Sequence, residues 1–142
     1  MIREPIYSAL FNLLRASAQF QTTSRRFQHW TNVSAPDQPA LYMMPRTEGA
    51  ETVPGLNTIW TLQVDVMIYV NTGGNDEISP NEVLNPLLDA VVASIAPSTI
   101  TNKQTLGGLC EHCWIEGQIQ TDEGVLSDQG FALIPIFIKV SS

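Results

Sequence analysis

A chain of 142 residues, 44% hydrophobic and 15% charged, is the right size for one domain, residues 1–142, that buries a core without staples. A net charge of −7 with only seven Lys and Arg excludes tight wrapping of nucleic acid, which needs several phosphate contacts from one surface. No apolar run reaches the roughly 18 residues that cross a bilayer, and Met1-Ile2-Arg3-Glu4-Pro5 reads as a helix start and not as a signal peptide, so no membrane partner and synthesis in a cytoplasm are expected. The charged fraction is low against a usual value of about 25%. Surface covered by partners accounts for that, and so does exposed Gln, Asn and Thr.

Pro5 and Glu4 suit the first turn of a helix, one by its fixed φ and the other through the helix dipole. Ile6, Leu10, Leu13 and Leu14 recur at helical spacing, with Tyr7 and Phe11 widening the stripe, which predicts a helix over residues 4–18. Residues 19–25 are polar and read as a link. Residues 26–33, with Phe27, His29 and Trp30, predict a short strand, and the stretch from Ser34 to Pro39 a turn. A second strand is expected over residues 40–44, ending at Pro45. Residues 46–57, with Glu48, Glu51, Pro54 and Gly55, read as an exposed loop or flexible hairpin.

The clearest strand spans residues 58–70. Leu62, Val64, Val66, Ile68 and Val70 share one parity; Thr61, Gln63, Asp65, Met67 and Tyr69 share the other. Residues 71–78 form a second polar loop containing Asn75 and Asp76. Ser79, Pro80 and Glu82 then fit the N-cap, N1 and N3 positions of a capping box. The helix that follows runs to about Ala96, with a kink or a later start expected at Pro86. Beyond a polar connection over residues 98–109, residues 113–120 alternate as a strand. Thr121-Asp122-Glu123-Gly124 reads as a turn, and residues 130–140 as a last strand in which Pro135 argues for a sheet edge or a bulge. The order α-β-β-β-α-β-β predicts an α+β fold: an antiparallel or mixed sheet of about five strands with both helices on one face.

Catalytic motifs are absent, so no catalytic, cofactor-binding or metal-binding residue is assigned and no enzyme activity or cofactor is expected. Cys110 and Cys113 form a CxxC, but a zinc site needs about four ligands, and the pair reads as two partly buried thiols at a strand start. Glu111 and His112 beside Cys113 point to opposite faces of a strand and do not combine into a base and nucleophile. Asp122, Glu123 and Asp128 read as solvated acids around a turn, and His29 as a strand histidine at a boundary. Trp30, Trp60 and Trp114 fit core packing and interface anchoring alike.

A series of segments, kept in order along nearly the whole chain, resembles one family. It runs from Ile2-Arg3-Glu4-Pro5-Ile6-Tyr7 with Leu10-Phe11 through Ser24-Arg25-Arg26-Phe27, His29-Trp30 and Gln38-Pro39-Ala40-Leu41-Tyr42. It continues with Asn85-Pro86-Leu87-Leu88-Asp89, Gln104-Thr105-Leu106-Gly107-Gly108, Cys113-Trp114-Ile115-Glu116-Gly117 and Thr121-Asp122-Glu123-Gly124. The chain thereby resembles the tail-terminator, or tail-completion, proteins of long-tailed bacteriophages. The resemblance implies a structural virion protein of the tail and neck, assembled in the host cytoplasm. Copies would form a ring, expected to be a hexamer, on the last ring of tail-tube protein. That ring stops tube polymerisation and offers a docking surface to the neck or head-completion protein, while DNA passes its lumen without specific binding. A head-completion or head–tail connector subunit on the portal side is the alternative, with a tail-tube subunit behind it. Loop chemistry selects Glu48, Glu51, Asn75 and Asp76 as axial contacts, and Trp60 and Tyr69, at opposite ends of the long strand, as the intersubunit seam.

Overall fold

The computed structural model describes residues 1–126 and 128–142, with backbone only for 123–126. Eight regular elements follow in the order α1 (Arg3–Arg15), β1 (Thr22–Ser24), β2 (Ala40–Glu51), β3 (Ile59–Asn71), α2 (Pro80–Ser94), β4 (His112–Ile115), β5 (Gln120–Leu126) and β6 (Gln129–Ser141). Short 3-10 turns at Trp30–Asn32 and Ala35–Asp37 lie between β1 and β2. The strands form one mixed sheet in the order β1-β2-β3-β6-β4, with β5 also paired to β6. β1 runs parallel to β2, and every other pair is antiparallel. The fold is α+β, with six strands where about five were expected.

The alternation in β3 does what its parity dictates. Leu62, Val64, Val66, Ile68 and Val70 are all buried, and across the ladder Ala132, Ile134, Ile136, Ile138 and Val140 of β6 share their face. Both helices pack on that face: Ile6, Leu10 and Leu14 of α1 and Leu84 and Val91 of α2 join the same core. Burying each such side chain contributes about 1.5–3 kcal/mol. The capping box at Ser79 is formed, with Glu82 accepting from the Ser79 amide at 2.9 Å, so α2 starts where the box placed it and continues through Pro86.

The expected strand over residues 26–33 is instead irregular chain and a 3-10 turn. Its amides are satisfied locally, Asn32 N–H by the His29 carbonyl at 2.8 Å and Thr31 N–H by His29 Nδ1. His29 is thus a turn cap and not a strand residue. The polar link before it supplies the strand, the three residues of β1. The crossover from β1 to β2 then lies over the second face of the sheet, where Val33, Ala40, Tyr42 and Tyr69 make a small separate core.

β2 does not stop at Pro45. It continues to Glu51 past a bulge at Arg46, and Pro45 is tolerated because β1 reaches only to Tyr42, leaving the strand a free edge there. The Arg46 guanidinium reaches Asp65, buried at 5% exposure on the second face, at 3.4 Å. Thr121–Gly124, expected as a turn, is part of β5; the break in the chain falls earlier, at residues 116–119, between β4 and β5. Pro135 accounts for that break. β6 is an interior strand, but β5 pairs with it up to Leu133 and β4 from Ile136 onward, so the proline, whose carbonyl accepts from Glu116 N–H at 3.4 Å, faces the gap between them.

Where α2 begins, Gly130 permits a close approach. A Cβ there would lie 2.7 Å from Cβ of Pro80, a ring atom that cannot swing aside, and 3.3 Å from the Asp122 carbonyl. Gly130→Ala is expected to lose about 1–3 kcal/mol of stability by overpacking. The measurement is the urea midpoint at unchanged m-value; an unshifted midpoint contradicts the packing account.

Candidate intersubunit surfaces

The residues selected from sequence scatter to different places. Tyr69 is 1% exposed. Its hydroxyl donates to the Gln28 carbonyl at 3.0 Å, and its ring packs between Tyr42 and Phe131. It is an interior residue that holds the crossover to the sheet, which corrects its assignment to a seam. Trp60 has the opposite parity and lies partly exposed beside the main core, with the Arg3 guanidinium 5.2 Å above its ring.

Glu48 is also committed within the chain. It accepts from Arg3 Nε at 2.7 Å and from the Tyr7 hydroxyl at 2.9 Å, fastening the start of α1 to β2. Glu4 and Arg25 form a second ion pair, at the far side of the same helix end. Burial pushes the Glu48 carboxyl up, but the Arg3 and Tyr7 hydrogen bonds outweigh it and hold the group below its ordinary 4.5. Tyr7 is pushed up to about 12, first by burial and then by the hydrogen bond to Glu48.

Glu51 stays exposed at the end of β2 and makes no ion pair among the described residues. Asn75 organises its own loop: its side-chain carbonyl accepts from Glu77 N–H at 3.0 Å, and Asp76 beside it is exposed. The loops after β2 and after β3 stand at opposite ends of the 13-residue strand β3, roughly 40 Å apart at the rise of an extended chain.

Two features escaped the sequence reading. The tip of the β2–β3 hairpin is a built turn, with Leu56 N–H donating to the Val53 carbonyl at 3.0 Å, Pro54 at its second position and Gly55 at φ 83°. That is a type II turn, which requires positive φ at its third position, and Pro54-Gly55 was its signal in the sequence. It displays Val53 and Leu56 at 56% and 71% exposure. On the second face, beyond the crossover's cover, the rings of His112, Trp114 and Phe137 stack in a row at centroid spacings of 5.3 and 6.0 Å, half-exposed. The row is shared between β4 and β6, strands distant in sequence, so it leaves no periodic signal.

The cysteines are both buried free thiols. Burial pushes Cys110 to about 11 and Cys113 to about 12. His112 Nδ1 accepts from Gln104 N–H at 3.1 Å, so that nitrogen is not free to act as a base toward a thiol. Among the described residues no group of three or more His, Cys, Asp or Glu could hold a metal, and no helix is long and apolar enough to cross a membrane. The Glu123 part of the expected acidic trio lies outside the described side chains; Asp128 accepts on its backbone carbonyl from Thr72 N–H at 2.9 Å.

With this geometry in view, comparison with known proteins adds no family: no protein-family model matches the chain, and neither does any curated protein sequence.

Two measurements follow from the titrating groups. A carboxyl held low contributes stability that is present above its unfolded pKa and lost as pH falls through the folded value. Wild type should therefore lose melting temperature more steeply than Glu48→Gln between about pH 6 and pH 3; parallel curves would remove Glu48 from the account. At pH 8 a thiol of pKa 11 is about one part in a thousand thiolate. The native protein should leave a thiol-specific disulfide reagent essentially unreacted, with both cysteines appearing on unfolding. Rapid native labelling would mean that the two thiols are reachable.

Proposed function

We propose that this chain is a structural subunit of a phage tail that assembles into a ring, caps the tail tube, stops its growth and presents a neck-docking surface. What supports the reading most is the half-exposed row His112–Trp114–Phe137 on a sheet face that carries no helix. Aromatic side chains of this kind anchor the centres of protein interfaces. Among the described residues only Lys103 and Lys139 adjoin them, with Glu111 beside Lys139, too few cations to track a phosphate backbone, which disfavours stacking on nucleic acid bases. The ordered resemblance along the chain supplies the identity of the assembly, and the separation of the two loops along β3 gives the subunit two ends that can meet different neighbours.

Capping in this mechanism is geometric. A cyclic ring repeats one heterologous contact until it closes. One ring face matches the tube end, and the other lacks the surface that the next tube subunit would bind. Growth stops for want of a complementary face, with no bond made or broken. DNA passes the lumen, where an acidic wall repels phosphate.

Mixing the purified protein with polymerising tail-tube protein and imaging the products tests this. Tubes of arrested length, each closed by a ring, are the expected result. Tubes that grow unhindered while the protein binds only portal-side rings would move it to head–tail joining.

A further inference from the structure

The hairpin tip and an apolar groove on the opposite flank of the sheet have matching character. The groove, about 300 Å³, lies between the end of α2 and β4, lined by Val92, Ile95, Pro97, Cys113, Trp114 and Ile115. Val92 forms an exposed lip at 43%. A site for a polar metabolite would need convergent polar groups, and this lining offers none beyond His112, whose Nδ1 is committed to Gln104. Strand addition along β4 is also obstructed, because Cys113 N–H already donates to the Gln104 carbonyl at 2.8 Å. The groove is therefore suited to apolar side chains.

Charge selects which ones. The chain's only two lysines, Lys103 and Lys139, line the adjoining hollow together with His112 and Trp114. Lys139 is 4.0 Å from Glu111, while Lys103 is exposed and makes no ion pair among the described residues. The apolar pair Val53 and Leu56 has Glu51 beside it, an exposed acid without an ion pair among the described residues. Pro54 and Gly55 fix the turn in advance, so docking it costs little ordering entropy.

We infer that Val53 and Leu56 of one copy insert into the Val92–Trp114 groove of a second copy, with Glu51 set against Lys103. The occupant is this same chain. The knob lies in the turn between β2 and β3 and the groove between the end of α2 and β4, so each copy offers one of each, and repeating that single contact head to tail is heterologous. The assignment rests on the ring reading for its biological purpose, and names the surfaces by which the ring would close.

Sedimentation of two exposed-site variants, alone and mixed, decides it. Leu56→Asp damages only the knob, and Val92→Glu only the groove. Each alone should raise the apparent Kd for self-association at least about tenfold, the loss expected of an interface anchor, with an unchanged melting temperature. Mixed, they retain one intact knob and one intact groove between them and should form one-to-one dimers that grow no further. Variants that associate like wild type would overturn the surface and leave the ring reading standing. A wild-type chain that stays monomeric at every concentration would overturn the inference, and the tube-capping assay then judges the ring reading separately.

Discussion

The fold depends on one ladder. β3 and β6 pair without a register shift over 13 residues, from Ile59 opposite Ser141 to Asn71 opposite Gln129. Because side chains alternate, a slip of one residue would turn Leu62, Val64 and Val66 away from the helices and bring Gln63 and Asp65 beneath them. The core admits only one register, and every other element is placed relative to it: α1 and α2 on the face it makes apolar, β2 on one flank, β4 and β5 on the other.

The second face is where the chain settles a conflict between packing and exposure. Its lower part is closed by the crossover from β1, fixed by the Tyr69 hydroxyl on the Gln28 carbonyl and by Val33 against Tyr42 and Tyr69. Its upper part holds Asp65 with Arg46, the Thr47 hydroxyl on Gln63 at 3.3 Å, and the stacked aromatic row. Polar groups there are paired inside the chain, which leaves the rings as the unengaged component. The same economy applies to the acids: Glu4 and Glu48 anchor α1, so the acidic character of the hairpin end is concentrated at Glu51.

How much of this was legible follows from signal length. β3, β6 and both helices announce themselves because each repeats its period many times, and the capping box at Ser79 is a local rule with a local outcome. β1 has three polar residues and no period to read. Residues 26–33 have strand-like composition, yet the edge beside β2 was taken by β1, and the segment's value lies in covering a face. Prolines misled in opposite ways: Pro45 did not end a strand, because an edge strand can lose a donor, and Pro135 marked a gap in the neighbouring strands and not an edge of its own. Trp60 and Tyr69 look alike in a strand of alternating residues; which is exposed depends on what covers each face, and that is decided by segments distant in sequence.

Those two prolines stand almost level, Pro45 opposite Val64 and Pro135 opposite Asp65, on either side of β3. At the level of Asp65 and Val66 β1 has already ended, β4 has not begun and β5 has stopped, so the sheet narrows to three strands between two broader halves. The narrowing is a waist. Bending or twisting one half against the other there is resisted by only β2, β3 and β6 and by the helices packed across them. The hairpin and groove belong to the half above it, and the crossover and capping box to the half below. The two ends of the molecule are thus joined through β2, β3 and β6 alone within the sheet, and the helices on the apolar face brace that joint.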